Sequence, residues 1–158
     1  MFGRKKDIWK IKDQNNFIVA LDMQTAQKCQ YGDDMNALSA PERVFYITQT
    51  LEQEVNNGGF DQFFINSSGN FANELVAAFT EIGAHRTAAI CKKALDALGG
   101  TVPVNREERE KMLDETITDE VTKIISECDD AFYDYEDDLN ALNYAYIMKH
   151  KEFFQQQT

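Results

Sequence analysis

The sequence predicts an all-α fold, a compact single-domain bundle of about six to eight helices. Two observations carry this. Apolar residues recur at three- and four-residue spacing in one segment after another, which is the period of a helix face. No segment alternates with period two, on either side of an Asn-Gly pair or elsewhere, so strands and hairpins lack their signature.

Residues 15–31 read as a first helix, with a diffuse apolar face. A second follows Ser39-Ala40-Pro41-Glu42. Ser39 caps it, Glu42 reaches back, and Pro41 sits where its missing N–H costs nothing. Val44, Thr48, Leu51 and Val55 form its stripe, and Asn56-Asn57-Gly58-Gly59 is its expected end. Leu75, Val76, Phe79 and Ile82 mark a third helix, with Asn70 as its expected cap and Gly83 as its stop. Ala88, Cys91, Leu95 and Leu98 mark a fourth, stopped at Gly99-Gly100. Asn105 opens an acid-rich helix whose stripe is Leu113, Ile117, Val121 and Ile124, with a candidate break at Thr118-Asp119. Phe132, Tyr135, Leu139, Leu142 and Tyr146 form the last stripe, read as one continuous helix.

The clearest interruption, Gly99–Asn105, falls inside a chain short enough for one shared core. One helical domain is therefore expected over residues 13–154. Residues 1–12, with five bases and one acid, are expected to form a flexible basic arm.

Net charge is −11. That argues against direct binding of nucleic acid or anionic lipid, both of which need a basic footprint. No apolar run approaches the ~20 residues of a membrane span. The three widely spaced cysteines, Cys29, Cys91 and Cys128, make a poor disulfide framework. They read as small buried hydrophobes in a cytoplasmic protein. His85 and His150 stand apart from any second histidine or cysteine at ligand spacing, so neither a metal nor a cofactor is expected. His85 is expected at a helix start and His150 near a helix end. Phosphate-binding glycine loops and the Gly-x-Ser-x-Gly nucleophile elbow are missing as well. No catalytic residue is assigned, and the chain reads as a non-enzyme.

Charge concentrates in residues 105–138, which hold 14 acids and 4 bases. Asp130, Asp134 and Asp138 fall at i, i+4, i+8, sharing a face on a continuous helix at about 6 Å per step. Asp129, Glu136 and Asp137 accompany them, and Glu107, Glu108, Asp114 and Glu115 are a candidate extension. The acids do not match the positions of a calcium-binding EF-hand loop. Phosphates along a DNA strand carry one charge per ~3.4 Å, so such a row suits the basic groove of a DNA-binding protein.

The run Asn57-Gly58-Gly59-Phe60-Asp61-Gln62-Phe63-Phe64-Ile65-Asn66 stands out. Phe60, Phe63 and Phe64 make an apolar i, i+3, i+4 triplet on a short helix. Gln62 and Asn66 are placed to bond each other or buried backbone. A scaffold is the first reading. A polar pocket built from Asn57, Gln62 and Asn66 is the second. The motif resembles the signature of the bacterial DNA-mimic-protein family, small acidic helical proteins; Asn57, Gly58, Gly59, Phe60, Gln62, Phe63, Phe64 and Asn66 carry the match. The resemblance covers about residues 39–153. It implies a homodimer whose acidic surface imitates duplex DNA and occupies a basic DNA-binding protein, such as a transcription regulator. The partner-binding candidates are then Asp129, Asp130, Asp134, Glu136, Asp137 and Asp138. The competing reading is a scaffold or regulatory module that binds a protein or small ligand through an apolar or Asn/Gln-lined groove.

Overall fold

The computed structural model describes residues 7–156. Among them are eight α-helices, short 3-10 segments and no strand. The all-α expectation holds.

Helix α1 spans Gln14–Lys28 and α2 spans Ala40–Ile65. After a 3-10 stretch, Ser67–Glu74, come α3 (Leu75–Glu81) and α4 (His85–Ala97). Helices α5 (Arg106–Thr116), α6 (Asp119–Tyr133), α7 (Leu139–Lys149) and α8 (Lys151–Gln155) complete the order. Helix α2 is the hub and touches α1, α3, α5, α6, α7 and α8.

The start of α2 forms as its sequence dictates. Ser39 and Glu42 make a reciprocal capping box, with Pro41 in the first turn. Glu42 is 1% exposed, and Lys28 Nζ pairs with it at 2.9 Å. The expected end near residues 56–59 is instead a kink, because the chain resumes its helix at Phe60. Gly59 has φ +78, the left-handed region that favours glycine. A Cβ there would also lie 2.7 Å from Asp129 Oδ2, and one on Gly58 would collide with the Gln62 side chain.

Past the kink, Phe60, Phe63 and Phe64 are all buried, each contributing roughly 1.5–3 kcal/mol on leaving water. They join Leu51, Val55, Leu75, Phe79, Cys91, Leu95, Ile125 and Phe132 in the main core. A second, smaller core gathers Phe17, Ile18, Leu21, Phe45, Ile147 and Phe154. Ile8 joins it, and Trp9 packs on Phe17 with ring centroids 5.1 Å apart. Packing thus begins ahead of the expected boundary at residue 13. The rest of the expected arm, residues 1–6, lies outside the described residues.

Two expectations for local structure are corrected. Asn70 does not cap α3. It lies inside the 3-10 stretch, and its Oδ1 accepts from Arg109 at 3.0 Å. Residues 132–146 are not one helix. Helix α6 stops at Tyr133, Tyr135 takes φ +46, and Asp138 starts α7 by accepting the Ala141 N–H. The break between α5 and α6 is real, with Thr118 capping α6 through the Val121 N–H.

Arg109 on α5 is fully buried. Its guanidinium donates to the carbonyls of Phe64 (2.6 Å), Asn66 (2.8 Å), Pro103 (3.1 Å) and Val104 (2.9 Å). With Asn70 these are its acceptors, so a cation stripped of water is met by dipoles rather than by a carboxylate. This clasp ties α5 to the end of α2.

Candidate functional site

At the kink in α2, two backbone groups bond to side chains of α6. Tyr133 Oη donates to the Val55 carbonyl at 2.8 Å, and Asp129 Oδ1 accepts the Phe60 N–H at 2.8 Å. Burial raises the Asp129 carboxyl from its ordinary value, although the Phe60 bond pulls the other way.

The expected carboxylate row is not a row. Because the helix breaks after Tyr133, Asp130, Asp134 and Asp138 do not share a helix face. Asp130 lies in the last turn of α6, Asp134 caps its end, and Asp138 caps α7. Asp137 Oδ2 accepts from the Thr87 N–H (2.7 Å) and hydroxyl (3.0 Å) at the start of α4. Glu136 pairs with Arg86 at 3.2 Å, both exposed. Four of the six candidates thus bond to the protein itself. Asp130 and Asp134 are exposed, and their side chains make no hydrogen bond or ion pair with the described residues. Tyr135, expected in the core, is 40% exposed. Its hydroxyl donates to Glu52 (3.1 Å) and accepts from Asn56 (2.7 Å).

Helix α5 carries the other exposed acids. Glu107, Glu108, Asp114 and Glu115 face solvent, and Asp119 and Glu120 follow in the first turn of α6. Of the α5 acids, Glu110 has a cation within reach, Arg106 at 3.8 Å.

The polar side chains of the motif work differently from expectation. The side chains of Gln62 and Asn66 bond neither each other nor buried backbone. Both donate to Oε2 of Glu54, at 2.7 and 3.1 Å, and Asn57 is exposed. Glu54 was not among the expected site residues. Its one sequence signal was its position eight residues before Gln62 and twelve before Asn66, across the glycine pair.

Glu54 lines a cleft of about 380 Å³ beside α1, together with Asp22, Tyr31, Tyr46, Gln53 and Phe71. A more apolar groove of about 540 Å³ lies between Pro41, Val44, Ile47, Tyr146 and Phe153. His85 opens α4 and His150 ends α7. The three cysteines are buried and unpaired. Burial raises the Cys128 thiol to about 11, far from the thiolate that nucleophilic chemistry needs. Among the described residues no group of His, Cys, Asp and Glu is arranged to hold a metal. No helix there is long and apolar enough to cross a membrane.

These features define an acidic all-helical protein with a kinked central helix and, among the described residues, unpaired carboxylates on α5 and at the end of α6. A model of the DMP19-like protein family, named for a DNA mimic protein, matches residues 36–150. The chain belongs to that family. Comparisons with curated proteins and with solved structures gave no match.

Proposed function

We propose that this protein is a non-enzymatic, cytoplasmic DNA mimic that occupies the DNA-binding surface of a basic protein such as a transcription regulator. The observation that carries the reading is the set of exposed carboxylates without a partner among the described residues: Glu107, Glu108, Asp114 and Glu115 on α5, with Asp130 and Asp134 at the far end of α6. They fall in a segment with 14 acids against 4 bases. Family membership supports the same role, and a homodimer is proposed on that ground. The surface differs from a single-helix row. Helix α6, with 15 residues, sets its two ends about 22 Å apart, so Asp130 and Asp134 stand well away from Asp119 and Glu120 at its start.

Exposed charges are screened within ~10 Å at 0.1 M salt. Immobilised protein is therefore expected to retain a basic DNA-binding protein from extract and to release it as salt rises or duplex DNA is added. Asp114→Lys, Glu115→Lys, Asp130→Lys and Asp134→Lys together should abolish retention with helicity unchanged. All four lie toward helix C-terminal ends, where cations suit the dipole. Retention that survives high salt or the fourfold reversal overturns the reading.

A further inference from the structure

The cleft beside α1 stands apart from the acidic surface above. Its lining carries two carboxylates, Asp22 and Glu54, and no lysine, arginine or histidine. Gln53 donates to Asp22 Oδ2 at 2.6 Å. Gln62 and Asn66 both bond Glu54 Oε2. The second oxygen of each carboxylate takes no part in these bonds, so neutral amides orient both groups, and no cation among the described residues pairs with either. Burial already favours the protonated form of Asp22, more than the Gln53 bond opposes it. A bound cation would relieve that unfavourable state.

The remaining walls suit a flat cation. Tyr31, Tyr46 and Phe71 line the cleft, with Tyr46 and Phe71 set edge to face at 6.0 Å. Tyr31 is 70% exposed and stands on left-handed backbone, φ +57, after Gln30 at φ +51. Aromatic faces attract cations. A guanidinium stacks on them and offers a planar fork of five donors that a compact ammonium lacks. Thr50, Ser67 and Ser68 add hydroxyls to the lining.

We propose that this cleft binds a guanidinium group on an alkyl stem, with Asp22 and Glu54 as acceptors and Tyr31 as its aromatic lip. The motif residues Gln62 and Asn66 then act as positioning residues that hold Glu54. The group comes either from an arginine side chain of a protein or from a free guanidine.

The test is an amide chemical-shift titration of the full chain with N-acetyl-arginine amide, with agmatine, and with N-acetyl-citrulline amide as the uncharged isostere. The guanidinium probes should move the amides of Asp22, Thr50, Gln53 and Ser67, and the citrulline probe should not. Asp22→Asn keeps the shape of the side chain and should weaken both guanidinium probes about tenfold. Tyr31→Ala, at an exposed position, should weaken them about threefold. Tighter binding of the arginine amide assigns a protein side chain, and tighter binding of agmatine a free guanidine. Equal binding of citrulline, unchanged binding by both variants, or no cleft shifts at about 10 mM probe overturns the proposal. None of these results bears on the fourfold charge reversal, so the two readings fail separately.

Discussion

Residues 129–138 and helix α5 are both dense in acids, and the fold uses them in opposite ways. In the first region Asp129 meets the Phe60 amide, Asp137 meets Thr87, and Asp138 caps α7. On α5, Glu107, Glu108, Asp114 and Glu115 turn to solvent while Arg109 alone turns inward among the charged residues. A chain reversing between helices exposes unmatched N–H groups, and acids are good acceptors for them. A continuous helix pairs its own backbone and frees its acids for other work.

The largest effect should come from α5's one inward charge. Arg109→Met would leave the carbonyls around it without donors, and a loss of about 3–5 kcal/mol is expected in denaturant unfolding. A smaller loss would mean that the loops relax around the gap. Asp129→Ala should cost about 1–3 kcal/mol by stranding the Phe60 N–H. Nearly unchanged stability would move Asp129 back among the surface acids. Asp138→Ala removes one cap from α7 and should cost about 1 kcal/mol, read as a small fall in Tm.

The smallest effect concerns Asp22, a half-buried carboxylate bonded by a neutral amide. Its folded pKa lies above its ordinary value, so the folded state binds the proton more tightly than the unfolded chain. Its contribution is therefore favourable at low pH and lost as pH rises from about 4. Glu52 and Tyr46 are its titratable neighbours. Asp22→Asn should match the parent in Tm below about pH 4 and exceed it slightly near neutrality. A gain independent of pH would sever it from this titration.

Most of the fold was legible because its signals are local. Ser39 and Glu42 announced the start of α2, and Asn105 and Thr118 the starts of α5 and α6. The break after Tyr133 was not read. Phe132, Tyr135 and Leu139 keep a helical period straight through it, although Tyr135 points its hydroxyl at Asn56 and Glu52. Asp138 was the available cue, an N-cap residue hidden in a run of acids. The site was legible only in part. The glycine pair marked where α2 breaks, although it was read as the end of the helix rather than a kink, and Glu54 and Arg109 are joined to the motif, and Asp22 to Gln53, by contacts across the kink or between elements.

Arg109's acceptors are four carbonyls and one carboxamide, and none of these titrates. Acidifying the solution or flooding it with electrolyte can erase the outer charges of α5 without loosening what moors the helix. A partner that lets go under those conditions has lost its electrostatic attraction to an intact surface. On α5 the grip that holds the helix is thus separate from the charge that it displays.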